Sequence, residues 1–241
     1  MSGRVIGVGL GPGDPDLMSV RADRLVRGAR HLAYFRKKGR AGRARTLIDG
    51  MLAPAAVEIA MEYPVTTEIP LEDAAYNGCL SAFYDECRAR LLAVTATGAD
   101  VIVPCEGDPF FYGSFMHLYE RLRDDVAVEV VPGITGMSAA WTASGQPITW
   151  GDDVMTVVMA TLPEEVLAAR MRDADALVVM KIGRNIGKVR RALAAAGLSD
   201  RAWLVECAAM AEQCVMRLDE APDRIPPYFS IVLVHGRGRR P

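Results

Sequence analysis

Apolar residues in this chain fall into short runs, most of which stop at a loop rich in glycine, proline and acid side chains and lead into a stretch with helical spacing. The first run, over 4–10, enters Gly11-Pro12-Gly13-Asp14-Pro15-Asp16. Ser19 can then cap a helix carrying Val20, Leu25 and Val26. A second strand is predicted over 31–35, a short helix over 45–52, an edge strand over 57–61 and a connecting segment over 63–70. The spacing of Leu80, Phe83, Tyr84, Cys87, Leu91 and Leu92 predicts a long helix over about 71–97 with a core-facing stripe. The most abrupt junction follows, where Val101-Ile102-Val103-Pro104 runs into Cys105-Glu106-Gly107-Asp108-Pro109-Phe110-Phe111-Tyr112-Gly113. Ser114 is placed to cap a helix marked by Phe115, Leu118 and Leu122. A strand over 126–131 ends in Pro132-Gly133-Ile134-Thr135-Gly136, and a small-residue helix continues through Trp141.

Residues 146–153, with Pro147 and Gly151, mark a boundary, giving an N-terminal α/β domain over 1–145 and a C-terminal one over 146–241. The second half reads strand 154–160, helix 164–171, strand 176–182, helix 186–195 and strand 202–207, followed by extended segments at 214–218 and 228–234. Strands alternating with helices imply mostly parallel sheets. The last two segments have no helix between them, so an antiparallel pair is expected there and the second sheet should be mixed. Residues 236–241 read as a frayed tail.

Composition narrows the class. At 241 residues, 51% hydrophobic and a net charge of −2, the chain can bury a full core and presents no overall nucleic-acid surface. No apolar run approaches the roughly 20 residues of a membrane span. Met1-Ser2-Gly3-Arg4 leads into a strand and not a secretion signal, so the cytoplasm is expected. The five cysteines and three histidines show no zinc spacing, so no metal is expected and the thiols read as reduced and mostly buried.

The strand-end loops are the places for ligand chemistry, because an open parallel sheet binds at its carboxyl edge. A dinucleotide fingerprint fails: in the two registers that begin at Gly7 and Gly9, Pro12 and Asp14 take the third glycine position. The second strand also ends in Arg36-Lys37-Lys38 where a ribose-binding acid would stand. Between Arg36 and Arg45 basic residues crowd together with no acid among them. Such a stretch is either a solvated loop or a clamp for a polyanionic substrate, and it lacks the aromatic interleaving of a single-strand binder.

Taken together, Gly9-Leu10-Gly11-Pro12-Gly13-Asp14, Glu106 through Gly113, and Val131-Pro132-Gly133-Ile134-Thr135 resemble the tetrapyrrole methylases, the class III methyltransferases that use S-adenosylmethionine. Val178 through Asn185 and Pro227-Tyr228-Phe229-Ser230 are similar to the subgroup that methylates C20 of precorrin-2 in cobalamin synthesis. Phe35-Arg36-Lys37-Lys38-Gly39-Arg40 is most similar to its oxygen-dependent branch; a counterpart acts on cobalt-precorrin-2. The resemblance implies two α/β domains with S-adenosylmethionine in the cleft between them, no metal, and a homodimer. It implies cofactor contacts at Pro12, Glu106, Gly107, Asp108, Phe111, Thr135 and Gly136, with Met180 or Ile182 and the segment around Ala209 completing the pocket. Glu106 replaces a glycine of many relatives, and Gly136 an alanine. Arg36, Lys37, Lys38, Arg40 and Arg184 are candidates for the substrate's carboxylates. Tyr112, Glu106 and Asp14 are candidates to accept the proton that leaves the methylated carbon, each equally suited to hydrogen bonding within its own loop.

Overall fold

The computed structural model describes residues 2–64 and 74–240, and the chain forms two compact units, Met1–Thr135 and Gly136–Pro241. In the first, strands β1 (Val5–Gly9), β2 (His31–Lys37), β3 (Val57–Tyr63), β4 (Val101–Cys105) and β5 (Val128–Val131) form one sheet in the order β3-β2-β4-β1-β5. Every pairing in it is parallel. Strands β1 and β4 are apolar at every position because both faces are covered. Val5, Val101 and Val103 pack with Phe83, Leu91 and Phe115, carried by helices α3 (Ala74–Thr95) and α4 (Phe115–Leu122). Ile6, Val8 and Ile102 face Ala22, Val26 and Ala44 of α1 (Val20–Arg27) and α2 (Arg43–Leu47). The predicted start of α3 over 71–73 lies outside the described residues, as does 65–70 of the predicted connection.

Local chemistry sets the helix ends. Ser19 accepts a hydrogen bond from the Ala22 amide, so α1 begins where the sequence placed its cap. Ser114 precedes α4 without capping it; its hydroxyl instead receives the Tyr63 phenol, a partner far away in sequence. Desolvation raises the Tyr63 phenol well above its ordinary value, so it stays a neutral donor.

The second unit contains α5 (Gly136–Ala143), β6 (Met155–Met159), α6 (Glu164–Arg172), β7 (Ala176–Met180), α7 (Ile186–Ala195), β8 (Ala202–Glu206), β9 (Cys214–Arg217) and β10 (Ser230–Val234). Its sheet runs β6-β7-β10-β8-β9. β6 and β7 are parallel, joined by a crossover helix as the alternation predicts. β10 inserts between β7 and β8, antiparallel to both, and β9 pairs antiparallel with β8 at the edge. The two closing segments therefore do not pair with each other. Apolar β10, buried at every position, takes the central slot, while the half-exposed β9 takes the edge.

The tail is held in place. The Gly236 amide donates to the Ile148 carbonyl, and Asp153 accepts from the amides of Trp150 and Gly238. A side chain at Gly236 or Gly238 would overlap the Asp153 carboxylate, so this run needs its glycines. Of the five cysteines, Cys87 and Cys105 are buried, but Cys79 and Cys214 are exposed, contrary to the expectation that most would be covered. Burial pushes the Cys87 thiol up to about 12 and the Cys105 thiol upward as well, leaving both unreactive.

Candidate active site

Three loops leave the adjacent strands β4, β1 and β5 at their carboxyl ends. The chain from β1 goes to α1 on one face of the sheet and the chain from β4 to α4 on the other, so the gap between these strands is the topological switch point. Gly9, Gly107 and Gly133 meet there. A Cβ on Gly9 would sit 2.5 Å from the Gly133 nitrogen and 2.8 Å from the Gly107 carbonyl oxygen, and one on Gly133 would overlap that same oxygen. Gly11 and Gly107 form a two-residue bridge, the Gly107 amide donating to the Gly11 carbonyl at 2.8 Å and the reverse bond measuring 3.4 Å. Gly107 has a φ of 65°, which a side chain disfavours. The backbones approach this closely because each loop supplies a residue without a Cβ.

Asp108 locks the arrangement. One carboxylate oxygen accepts from the Gly133 amide at 3.0 Å and the other from the Phe110 amide at 2.8 Å, tying the second loop to the third and to itself. Asp14 likewise serves its own loop, accepting from the Asp16 amide. Glu106 accepts at 3.0 Å from the Ala44 amide in the first turn of α2, whose cap residue Gly42 has no side chain to do so. Glu106 keeps an exposed surface yet is crowded by protein on its other sides. That desolvation raises its carboxyl above the ordinary value, with the Ala44 amide and Arg43 pulling the other way. Tyr112 has a φ of 55° and an exposed ring set edge-on to Phe111. A bulky residue held at positive φ marks local strain, which collects at functional sites. Pro12 is buried beside Gly11, while Ile134 and Phe110 stand exposed.

The basic stretch is less free than its sequence suggests. Parallel pairing of β2 and β3 sets Arg36 opposite Glu62, and the two form an ion pair at 2.6 Å. Arg45 is bidentate to Glu58 and also pairs with Asp49. Glu58 and Glu62 lie on the neighbouring strand and Asp49 just past α2, so residues 36–45 alone do not reveal them. Lys38 and Arg40 are exposed and form no ion pair among the described residues. Behind them Phe35 stacks on Tyr63 at 5.5 Å, within a cluster completed by Phe83 and Tyr84.

In the second unit the candidates divide. The Ile182 side chain is wholly buried in that unit's core, which leaves its backbone for any contact with a ligand. Met180 is half-buried at the end of β7, followed by Lys181 at a φ of 54°. Cys207 and Ala209 after β8 have φ of 49° and 61°, and the Ala209 amide is held by the Gln213 side chain. Arg184 is exposed in a single 3₁₀ turn after β7. Gly136, the first residue of α5, has room for a methyl group, since an added Cβ would lie 3.8 Å from Ile231, an ordinary contact.

Residues 4–222 match the family model for tetrapyrrole (corrin/porphyrin) methylases. The chain belongs to that family. A precorrin-2 C(20)-methyltransferase from Sinorhizobium sp is 48% identical over 239 residues, which span 99% of this chain and 98% of the relative. A cobalt-precorrin-2 C(20)-methyltransferase from Salmonella typhimurium is 28% identical over 98% and 97% of the two chains. Among solved structures, a uroporphyrin-III C-methyltransferase from Thermus thermophilus, complexed with S-adenosyl homocysteine, superposes with a TM-score of 0.63. It shares 24% identity and covers 96% of this chain and 97% of its own, which establishes the common fold. In this methylase the three loops named from sequence do lie side by side at one sheet edge. Gly9 and Gly133, where the loops touch, were visible only as loop glycines, and the bond from Ala44 to Glu106 left no signal because it joins distant segments.

Proposed function

We propose that this protein transfers a methyl group from S-adenosylmethionine to C20 of precorrin-2, giving precorrin-3A in cobalamin biosynthesis, and that it does so as a homodimer. The full-length 48% identity to a precorrin-2 C(20)-methyltransferase carries this reading. The glycine contact of the three loops supports the cofactor assignment, because it leaves a strand-end surface of backbone groups bordered by Ile134, Phe111 and Tyr112, suited to a ligand with polar ends and an apolar middle. When bound there, S-adenosylmethionine supplies the methyl group as a sulfonium electrophile.

Each residue's task follows from that chemistry. The positive charge disappears as the methyl leaves, so a carboxylate against the sulfur would favour the ground state over the transition state. Asp108, with both oxygens committed to backbone amides, acts as the fastener of the site. Pro12, Gly107, Thr135 and Gly136 supply surface and backbone. Met180 and the backbone around Ala209, at strand ends of the second unit, are further candidates for cofactor contacts. Positioning of donor and acceptor accounts for roughly 7–11 kcal/mol of such a reaction, and the acceptor carbon of a reduced tetrapyrrole is already electron-rich. Of the three candidate proton acceptors, Glu106 fits best: its raised carboxyl is a stronger base than an ordinary one, whereas Asp14 is spent on its own turn. Lys38 and Arg40, with Arg184, are the cations available for substrate carboxylates.

Incubating the purified protein with labelled S-adenosylmethionine and precorrin-2, its cobalt complex or RNA tests the proposal. Label should pass to the metal-free ring fastest. Transfer to the cobalt complex alone would move the protein to the other branch, and transfer only to RNA would overturn the substrate class.

A further inference from the structure

The second unit holds a cavity of about 160 Å³ unconnected with this chemistry, at the end of its sheet where β8 begins and β10 finishes. The strand ends carrying Met180 and Ala209 lie at the other end of the same sheet, since Val234 pairs with Ala202 while Ser230 pairs with Glu206. Arg201, Arg217, Arg237 and Arg240 line the cavity with His235 and Trp203, and among the described residues no carboxylate does.

Four guanidinium groups around so small a space repel one another, because arginine stays charged at any ordinary pH. The structure nevertheless holds three of them in place. Arg217 lies over the Trp203 ring at 5.2 Å and donates to the Asp200 carbonyl. Arg240 lies over Trp150 at 4.4 Å. One terminal nitrogen of Arg201 donates to the carbonyls of Asp175 and His235 at 3.2 and 2.7 Å, while its Nε is buried with no hydrogen-bond partner among the described residues. Burial and, after it, the charge of Arg237 act against the Arg201 cation, with Asp200, Asp153 and Asp175 pulling the other way. Of the acids nearby, the exposed Asp219 pairs with Arg217 only at 3.8 Å, while Asp153 accepts from the amides of Trp150 and Gly238 and Asp175 from that of Val154. His235, bonded to Pro147 and Ser144, is held neutral by burial and adds no charge of its own.

We propose that this cavity binds a small oxyanion, a phosphate group, between the Arg201, Arg217, Arg237 and Arg240 guanidiniums, as a site separate from the methyl-transfer centre. The volume suits a group of that size and excludes a tetrapyrrole ring, and forked N–H donors match phosphate oxygens in pairs.

The test is a thermal melt and calorimetric titration of the full chain with inorganic phosphate, against acetate and chloride at matched ionic strength. Phosphate should raise the melting temperature saturably where the other two do not. Arg237→Gln should weaken phosphate binding by about tenfold or more, as expected for loss of charge-assisted donors, and should melt no lower than wild type in phosphate-free, low-salt buffer because a repulsion is relieved. Arg240→Gln is the second variant and should weaken binding in the same direction. The proposal is overturned if phosphate and chloride act alike, if acetate matches phosphate, or if both variants bind phosphate as wild type does. A phosphate response lost only in Lys38→Gln/Arg40→Gln would also overturn it, placing the anion at the basic loop.

Discussion

Gly133 and Gly136 stand three positions apart and should respond oppositely to the same added methyl group. At Gly133 the new Cβ overlaps the Gly107 carbonyl and Gly9 Cα, backbone atoms that cannot swing aside. Gly133→Ala should therefore cost about 1–3 kcal/mol in stability, as overpacking does, and should weaken S-adenosyl homocysteine binding in a calorimetric titration. Gly136→Ala meets only Ile231 at contact distance and should keep both near wild type. Equal behaviour of the two variants would refute the three-glycine contact as the basis of the site. Glu106 gives a second residue-level outcome. Its folded carboxyl lies above the ordinary value of 4.5, so its stabilising contribution is complete below the unfolded value and is lost as pH rises through the folded one. Glu106→Gln stays neutral and still accepts from the Ala44 amide. It should melt above wild type at neutral pH, with the difference closing as the medium becomes more acid than the carboxylate range; a pH-independent difference would contradict a raised carboxyl. Residue types and loop positions were legible from sequence, but the commitments of Asp108 to the Gly133 amide and of Glu106 to the Ala44 amide of α2 depend on tertiary proximity.

Elements were legible where their signals are local. The cap at Ser19, the apolar runs of β1 and β4 and the whole span of α7 emerge from short windows, because caps and periodicity act within a turn or two. Signals that depend on a distant partner misled. Ser114 looks like a cap and is instead the acceptor of a phenol from β3, and Arg36 looks uncompensated although Glu62 faces it across the sheet. The place of β10 also follows from competition among strands for the sheet centre, won by the more apolar segment, which adjacency in sequence does not reveal. Two serines thus make a matched experiment. Ser19→Ala removes a true cap and should cost about 1 kcal/mol, read as a lower denaturation midpoint with an unchanged slope. Ser114→Ala should leave the helicity of α4 intact while the ultraviolet signature of Tyr63 changes as its hydroxyl loses its acceptor. Loss of α4 helicity in that variant would show that the serine caps after all.

For the whole molecule, charge must be reconciled with substrate. The chain carries a net charge of −2, yet the proposed substrate bears many carboxylates, so long-range attraction cannot come from the overall balance and must come from a local patch. Pairing with β3 removes Arg36 and Arg45 from that patch. Replacing Arg36 would leave Glu62 without its partner and confuse substrate binding with local stability. Lys38 and Arg40 are the informative pair, exposed and without an ion pair among the described residues. Lys38→Gln/Arg40→Gln should leave the melting temperature within a degree or two of wild type, because exposed charges contribute on the order of 0–1 kcal/mol. Its KM for precorrin-2 should rise several-fold, with kcat and S-adenosylmethionine affinity little changed, as expected when ground state and transition state lose the same contact. Added salt should raise the wild-type KM toward that of the variant and move the variant less, since the screening length shortens to about 8 Å at physiological ionic strength. If KM and its salt dependence are the same in both proteins, the basic loop is a solvated surface and Arg184 becomes the next residue to replace.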